Sequence, residues 1–461
     1  MRLPALLLAA TALAGCAAVG PNYVRPEAPA TPAFRNMPAE APPPPVKWWT
    51  GFGDPAINRL VDLALAQNLD VAQAVARVDQ ARAAARFAGA ALRPAGQLDL
   101  QAARVRQSAL GTNPFAAQNQ DIDFFSAQGS ASWEIDVFGG LRRGREAAFA
   151  DLGAAEAAVG AARLLVAGDV VDAVLQLRGF QSRIALAERR VADNARFEEI
   201  VRASFEGGHV ARLQLDQAQS TTAQARAALP LLRAGAEAQR NRLAVLTGRP
   251  PEADLLAETG VRPIPDPLPA PGGLTPADLL TRRPDVVAAE RRLAAANARI
   301  GVATADYYPR ISLQGLLGPQ ALDLGDLFTG EALAGQLAAG LRWRLFDFGR
   351  VDANIARNRG VYAEQLAAYR QTLLRAVEDV ENAFVTLAER AQQVRDLQAA
   401  SAALERAKDA AQAGFDAGAV RLLDVIDAQR QLLVTQDLLA DAVAQRARAA
   451  VALHRALGGA V

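Results

Sequence analysis

Few residues in this 461-residue sequence have the types or the spacing that catalysis or metal binding requires. The one cysteine is Cys16, and the two histidines, His209 and His454, lie outside any HExxH or CxxC spacing, so we expect no metal site. No GxSxG elbow, Walker A loop or GxGxxG turn after a strand is present either. Because no nucleophile, base and orienting group come together in the sequence, we predict that the protein is not an enzyme.

Cys16 is the residue whose surroundings predict a covalent modification. A basic Met1-Arg2 start, an apolar stretch from Leu3 to Leu13 and small residues before Cys16 are typical of a signal peptide over residues 1–15. The end of this segment resembles a bacterial lipobox, which implies a mature chain that begins at an acylated Cys16. Each acyl CH₂ would contribute about 0.8 kcal/mol to membrane attachment. The next residue is Ala17 rather than an acid, which favours the outer membrane by analogy. The alternative is an ordinary signal peptide cleaved elsewhere, with Cys16 unmodified. No other cofactor is expected.

Charge and composition limit the classes of partner. Lysine and arginine number 50 against 49 aspartates and glutamates, so the balance gives no electrostatic case for nucleic acid. Hydrophobic residues form 51% of the chain but aromatic residues only 5%, and the excess is mostly alanine, which favours closely packed helices. No run of about 18 uncharged apolar residues follows the N-terminal segment, so we expect no transmembrane helix.

The sequence is internally duplicated. Two proline-rich stretches, 21–45 and 249–276, flank halves that match each other at an offset of about 210 to 215 residues. The matching segments are Asn68-Leu69-Asp70-Val71 with Arg283-Pro284-Asp285-Val286, Trp133 to Gly139 with Trp343 to Gly349, and Phe205-Glu206-Gly207-Gly208 with Phe415-Asp416-Ala417-Gly418. We predict a lipid-anchored segment over 16–50, a first repeat over 51–248, a linker over 249–276 and a second repeat over 277–461.

Within each repeat the hydrophobic period changes from helical to strand-like and back. The first repeat predicts one helix of about 38 residues over 54–91, strands over 95–106 and 121–138, and then long helices. The second repeat predicts strands over about 309–318 and 335–347. From residue 351 to 413 an apolar seam predicts a coiled-coil helix on the order of 95 Å long. A bundle of shorter helices broken at Gly360 is the alternative.

Four strands of about ten residues, each apolar on one face and polar on the other, have the length and pattern of membrane β-barrel strands. Four strands cannot close a barrel, two copies would give a filled eight-stranded barrel, and three copies would give twelve strands around a watery lumen. If the strands cross a membrane, the protein is a trimer. A small soluble sandwich is the alternative. On the polar face, Arg342 and Arg344 either line a lumen or are paired by Glu134 and Asp136.

Several motifs together resemble the TolC-type outer-membrane efflux proteins, in the lipoprotein branch of OprM-like and NodT-like proteins. The motifs are Cys16 with Gly20-Pro21-Asn22-Tyr23-Val24-Arg25-Pro26, Trp48-Trp49 with Asp54-Pro55 and Asn68-Leu69-Asp70, Trp133-Glu134-Ile135-Asp136-Val137-Phe138-Gly139, Arg282-Arg283-Pro284-Asp285-Val286, and Ala456-Leu457-Gly458-Gly459. The resemblance implies a mainly α, internally duplicated fold, with four strands per chain completing a 12-stranded barrel in a trimer and a long periplasmic helical barrel. It also implies a homotrimer in outer-membrane lipid that works with a periplasmic adaptor and an inner-membrane pump of the resistance-nodulation-division (RND) class.

The same resemblance implies working residues in the turn from Phe415 to Arg430, at the periplasmic tip. Leu423 would form an apolar ring, Asp427 a carboxylate ring, and Arg430 would pair with acids on a neighbouring helix; their spacing puts all three on one helical face. A solvated Asp427 and a seam-packed Leu423 are the alternative. Three glycines, Gly207, Gly208 and Gly418, either let the tips bend or dock on adaptor hairpins, or simply end helices.

The leading hypothesis is therefore a passive outer-membrane channel of a tripartite efflux system that expels small molecules. A type I protein-secretion conduit and a periplasmic coiled-coil lipoprotein without a pore are the alternatives.

Overall fold

A computed structural model describes residues 18–27, 33–38, 45–106, 121–251, 260–266 and 270–459. The chain divides into two compact units. The sheet unit comprises the described residues up to 26 together with 77–155 and 288–369, and the helical unit comprises the described residues of 27–76, 156–287 and 370–459. The predicted signal peptide and Cys16 lie outside the described residues. No helix among the residues described has both the length and the apolar character needed to cross a membrane.

The two repeats contain matching elements. The first repeat has α1 (Pro55–Gln67), α2 (Leu69–Ala90), β1 (Ala95–Arg106), β2 (Asp121–Ile135), α3 (Gly140–Glu206) and α4 (Arg212–Leu246). The second repeat has α5 (Leu279–Arg282), α6 (Pro284–Ala305), β3 (Arg310–Ala321), β4 (Leu333–Arg342), α7 (Arg350–Asp416) and α8 (Leu422–Ala456). Short 3₁₀ turns precede each set at Trp48–Phe52 and Pro276–Asp278.

The offset between corresponding elements has two values. It is 215 residues for α2 and α6, which start at residues 69 and 284, and for β1 and β3, which start at 95 and 310. It is 210 residues for α3 and α7, which start at 140 and 350, and for α4 and α8, which start at 212 and 422. Counted between equivalent residues of the two strands, the second repeat is therefore five residues shorter than the first.

The predicted 38-residue first helix is wrong, because the chain forms two helices that meet at Asn68. The Asn68 backbone is extended, with φ −64° and ψ 131°. Its side-chain oxygen accepts hydrogen bonds from the backbone N–H groups of Asp70 (2.8 Å) and Val71 (3.2 Å). Asn68 therefore acts as the N-cap of α2 and ends α1 at the same point.

The four strands form one antiparallel sheet in the order β1-β2-β3-β4. Strands β2 and β4 end at Ile135 and Arg342, before the predicted limits of 138 and 347. For β4 the reason is its partner, because β3 begins at Arg310, which is the residue opposite Arg342. Beyond Arg342 the chain finds no β3 residue to pair with.

The long helices are continuous. Helix α7 runs unbroken from Arg350 to Asp416, through Gly360, so the alternative of shorter helices broken at that glycine is wrong. The core of the helical unit packs α1 against the middle of α3 and the ends of α4 and α8. Two buried tryptophans, Trp48 and Trp49, lie in this core, and Trp48 stacks on His454 with ring centroids 5.2 Å apart.

Candidate functional site

Two turns between long helices form the candidate site, one between α3 and α4 and one between α7 and α8. In the first, the Gly208 N–H donates to the Phe205 carbonyl (2.9 Å) and the His209 N–H to the Ser204 carbonyl (2.8 Å). In the second, the Gly418 N–H donates to the Phe415 carbonyl (2.9 Å) and the Ala419 N–H to the Gly414 carbonyl (2.8 Å). Both patterns are Schellman motifs, which satisfy carbonyls that a helix end would leave unpaired.

The backbone explains why glycine occurs at the two equivalent positions. Gly208 and Gly418 both have φ of 73°, in the left-handed region that side chains with a Cβ rarely adopt. Gly207 has no such φ; a Cβ on it would lie 2.9 Å from the ring of His209, which folds over the turn. Gly208 and Gly418 therefore end their helices, and both lie at solvent-open positions with nothing within 4 Å of an added Cβ.

The three residues assigned to the aperture lie together on the first turns of α8. Leu423 is half exposed, and the side chains of Asp427 and Arg430 are 50% and 64% exposed. The Arg430 guanidinium lies 3.7 Å from the Asp427 carboxylate of the same helix. The arginine thus has an acid partner on its own helix, and all three side chains remain accessible to a neighbouring molecule.

A second charged pair at this turn was not predicted from the sequence. The Arg421 backbone N–H donates to the Asp424 carboxylate (3.1 Å), and the Arg421 guanidinium lies 3.2 Å from the same group. The side-chain hydrogen bond from Arg421, followed by the backbone one, lowers the pKa of Asp424. The Asp424 carboxylate, at the third position of α8, thus accepts from the backbone N–H that precedes the helix, and the acid spaced three residues after the arginine is the signal that could have found it.

The two turns differ in the apolar side chains that lie beside them. Near the first turn, Val201, Leu215 and Ala218 form a buried cluster against which Phe197 and Phe205 pack. At an offset of 210, the second turn replaces the larger members of this cluster by smaller ones: Ala407 for Phe197, Ala411 for Val201 and Val425 for Leu215. These three positions therefore carry smaller apolar side chains in the second turn than in the first.

Arg283, in the Arg-Arg-Pro-Asp motif, has a structural role that the sequence did not reveal. It is buried at the start of α6, and its guanidinium donates to the Ala456 carbonyl at the end of α8 (3.0 Å). The same group lies 2.8 Å from Asp285 and 3.1 Å from Asp379. In the first repeat the equivalent residue is Asn68, whose side-chain nitrogen donates to the Leu246 carbonyl (2.9 Å) at the end of α4. Each repeat thus uses the residue before its second helix to cap its last helix.

The predicted pairing of Arg342 and Arg344 with Glu134 and Asp136 is wrong, and lumen lining stays a prediction for the two arginines. Asp136 accepts hydrogen bonds from the backbone and the guanidinium of Arg142, and so caps the start of α3 rather than binding Arg342 or Arg344. Glu134 is opposite Ser312 in the sheet. Within the described ranges, no group of three or more histidine, cysteine, aspartate or glutamate residues could hold a metal ion.

Comparisons with known proteins agree over nearly the whole chain. The profile of a family described as outer membrane efflux protein matches residues 60–249 and 275–459. The pyoverdine export outer membrane protein OpmQ of Pseudomonas aeruginosa is 33% identical over 418 residues, covering 90% of this chain and 87% of its own. Nodulation protein T of Rhizobium leguminosarum bv. trifolii is 31% identical over 451 residues, covering 97% and 95%. The solved structure of the outer-membrane channel OprN superposes with a TM-score of 0.88 and 32% identity, covering 96% of this chain and 99% of that one.

Proposed function

The chain belongs to the outer membrane efflux protein family, and from that premise we propose that it is the passive outer-membrane channel of a tripartite efflux system, through which small molecules leave the cell. The observation that carries the proposal is the four-stranded sheet, in which β1 and β4 are both edge strands. A lone sheet of this kind leaves two rows of backbone N–H and C=O groups without strand partners.

A homotrimer satisfies both edges. Three copies give twelve strands, which is enough to close a barrel with a water-filled interior, whereas eight strands from two copies would be filled by side chains. The large apolar side chains exposed on the edge strands support an environment of lipid or of another copy; they are Leu98, Leu100, Val105, Leu333, Leu337 and Leu341. Such a cluster exposed to water would promote aggregation.

The two helical turns are the part of the chain that we assign to partner proteins and to gating. We propose that the turns at Gly208 and Gly418 meet the helical hairpins of a periplasmic adaptor, which joins the channel to an inner-membrane pump of the RND class. The open space around both glycines supports this assignment, since a partner helix can approach the backbone closely there.

For the aperture, we infer that Leu423, Asp427 and Arg430 of three copies surround the opening. Their exposure on one face of α8 supports this arrangement. The first turn carries the uncharged Gln217 and Ser220 at the positions of Asp427 and Arg430, so the charged ring would have threefold rather than sixfold composition.

We propose that Cys16 is acylated, and the residues that follow it support an anchor next to the sheet. The Arg143 guanidinium donates to the carbonyls of Val19 (3.1 Å) and Gly20 (3.2 Å) and to the side chain of Asn22 (2.7 Å). The Val19 N–H donates to the Phe138 carbonyl (3.0 Å), just after β2. The chain segment that would leave an acylated Cys16 is thus held beside the end of a strand. Mass spectrometry of the mature N-terminal peptide would detect or exclude the acyl chains.

Single-channel recording in planar bilayers tests the proposed function. We expect the purified full-length protein to give discrete conductance steps, because a twelve-stranded barrel encloses water. A coiled-coil lipoprotein without a pore would give no steps and would refute the proposal. To separate small-molecule efflux from protein secretion, the chain should restore export of a fluorescent dye in a strain that keeps its RND pump and adaptor but lacks their outer-membrane channel. Conductance without any dye export would instead favour protein secretion.

A further inference from the structure

The two edge strands are related by the duplication to two strands that already pair inside the chain. Strand β4 corresponds to β2, and β1 corresponds to β3. The pairing of β2 with β3 joins the first repeat to the second. If β4 pairs with β1 of another copy, the second repeat of one copy is joined to the first repeat of the next copy in the same way.

The two hairpins show that the duplication preserves strand register. In the first repeat, Ala95 lies opposite Ser132 and Leu98 opposite Gly129. Adding 215 to the β1 numbers and 210 to the β2 numbers gives Arg310 opposite Arg342 and Leu313 opposite Ala339, and both are pairs of the β3–β4 hairpin. The tryptophans agree, since the Trp133 indole donates to the Leu92 carbonyl and the Trp343 indole to the Tyr307 carbonyl, each at 3.0 Å.

From the pairing of β2 with β3 we infer the register between copies. In that pairing Ala131 lies opposite Gly315. The same offsets place Leu341 opposite Leu100 of the next copy. We propose that β4 of each copy pairs with β1 of the next copy in this register, so that Arg342 faces Asp99 and Trp343 faces Leu98 across the seam. The inference rests on the proposed trimeric channel and fixes how its copies meet.

The side chains brought together by this register complement each other. On one face, Leu341 and Trp343, which are 67% and 54% exposed, would meet Leu100 and Leu98, which are 73% and 70% exposed. Directly opposite apolar pairs of this kind stabilise a sheet by roughly 0.2 to 1 kcal/mol each. The register thus covers the large apolar side chains that each edge exposes.

Charge complementarity appears on the other face. Arg342 forms no ion pair with any residue that the structure describes, and Asp99 accepts only a hydrogen bond from Gln97 (3.0 Å) among those residues. The corresponding positions in the β2–β3 pairing are the neutral Ser132 and Gln314. At this position the duplication thus has a neutral pair inside the chain and an oppositely charged pair between copies, where opposite charges favour one register over its alternatives.

The register also explains why the alternation of apolar and polar residues continues past the end of β4. Within one chain β4 ends at Arg342, because β3 offers no further partner. In the proposed seam Leu345 lies opposite Gly96 of the next copy, just as Ile135 lies opposite Ile311 inside the chain. Strand β4 would therefore lengthen by three residues when the copies assemble.

Cysteine crosslinking tests the register. We expect the double variant Leu100→Cys/Leu341→Cys, purified as the full chain in detergent and oxidised with copper phenanthroline, to run as covalent dimers and trimers without reductant. Directly opposite residues lie about 4.5 to 5.5 Å apart between Cα atoms, within the range that a disulfide needs. An intrachain disulfide is excluded, because two strands separate β1 from β4 and the edges lie roughly 14 Å apart.

The duplication supplies a matched control. The variant Ala131→Cys/Gly315→Cys is the same pair inside one chain, so it should form an intrachain disulfide and leave the chain uncrosslinked to its neighbours. The single variants Leu100→Cys and Leu341→Cys show whether Cys16 contributes crosslinks. Two shifted variants, Leu98→Cys/Leu341→Cys and Ala102→Cys/Leu341→Cys, should crosslink at least several-fold less, because diagonal neighbours lie about 7 to 8 Å apart.

Each outcome decides the proposal. Crosslinking strongest at the 100 and 341 positions supports the register, and crosslinking strongest at a shifted pair overturns it. The Ala131→Cys/Gly315→Cys control shows that oxidation works in the trimer. If that control forms its disulfide and none of the edge-strand pairs crosslinks, the pairing of β4 with β1 is overturned. Since conductance and dye export are measured separately, a channel with a different register refutes this inference and leaves the proposed function intact.

A charge exchange gives an independent readout. Asp99→Arg and Arg342→Asp each place like charges opposite one another, so each should reduce the fraction of chain recovered as trimer after purification. The double exchange Asp99→Arg/Arg342→Asp restores opposite charges and should restore the trimer fraction. A double variant as impaired as the single variants would overturn the assignment of this pair.

Discussion

Protonation of His454 should destabilise the helical unit in mild acid. His454 lies on the last turn of α8, is 2% exposed and stacks on Trp48, and its Nδ1 atom has no hydrogen-bond partner within the described part of the chain. Burial disfavours the charged imidazolium and lowers the pKa of His454 from 6.5 to about 4. The histidine is therefore neutral in the folded protein under conditions in which an unfolded chain would bind a proton.

The sign and size of the effect follow from these two pKa values. Between pH 4 and pH 6.5 the unfolded state binds more protons than the folded state, so stability rises with pH in this window and is constant above it. Going from pH 7 to pH 5 should lower the free energy of unfolding by about 2 kcal/mol through this residue alone.

The experiment compares His454→Phe with the unchanged chain, because phenylalanine keeps a ring on Trp48 without a titrating group. Denaturant unfolding at pH 7 and pH 5 would be followed by the fluorescence of Trp48 and Trp49, in a background where Trp133 and Trp343 are phenylalanine. His209→Gln is the matched control, since His209 is the other histidine in the chain and lies in the exposed turn. If His454→Phe loses as much stability between pH 7 and pH 5 as the unchanged chain, the reasoning is refuted.

Three further predictions concern helix ends and the aperture. Arg283→Ala should lower the free energy of unfolding of the helical unit by about 2 kcal/mol, because the substitution leaves the Ala456 carbonyl unpaired. The control Arg282→Ala should change this free energy by less than about 0.5 kcal/mol. Equal losses in the two variants would contradict the capping role of Arg283. Gly418→Ala should lower the free energy of unfolding by about 1 kcal/mol because Gly418 has a positive φ. Gly360→Ala, inside α7 with open space around it, should raise the free energy of unfolding by about 0.5 to 1 kcal/mol in the same denaturation assay. Effects of the same sign would be inconsistent with the Schellman turn. Asp427→Ala/Arg430→Ala should raise single-channel conductance by loosening the aperture, with Gln217→Ala/Ser220→Ala as the matched control in the first repeat, and unchanged conductance would remove both residues from the aperture.

The fold class could be predicted from the sequence because the hydrophobic periodicities that indicate it are local. Alternation in β1 and β2, the helical period of the long helices and the constant offset between repeats each depend on short stretches of chain, and the duplicated fold that they indicated is confirmed by the solved channel structures. The break at Asn68 is also local, but apolar residues continue on both sides of it at helical spacing. The asparagine followed by Asp70 was the available N-cap signal.

The remaining features depend on partners that lie far away in sequence. The end of β4 is set by where β3 begins, and no property of residues 343–347 reveals that. Arg283 caps a helix whose last residue lies 173 positions later, so its role follows only from the tertiary structure. The acylation of Cys16 and the roles of Leu423, Asp427 and Arg430 stay predictions, because they concern a lipid and other copies of the chain.

Electron cryo-microscopy of the full-length protein in lipid nanodiscs is the measurement that tests the central claim most directly. We expect three copies whose twelve strands close a water-filled barrel across the bilayer, with every β4 beside the β1 of the next copy. A single copy whose four strands pack into a dry core away from lipid would contradict the account of this protein as a channel.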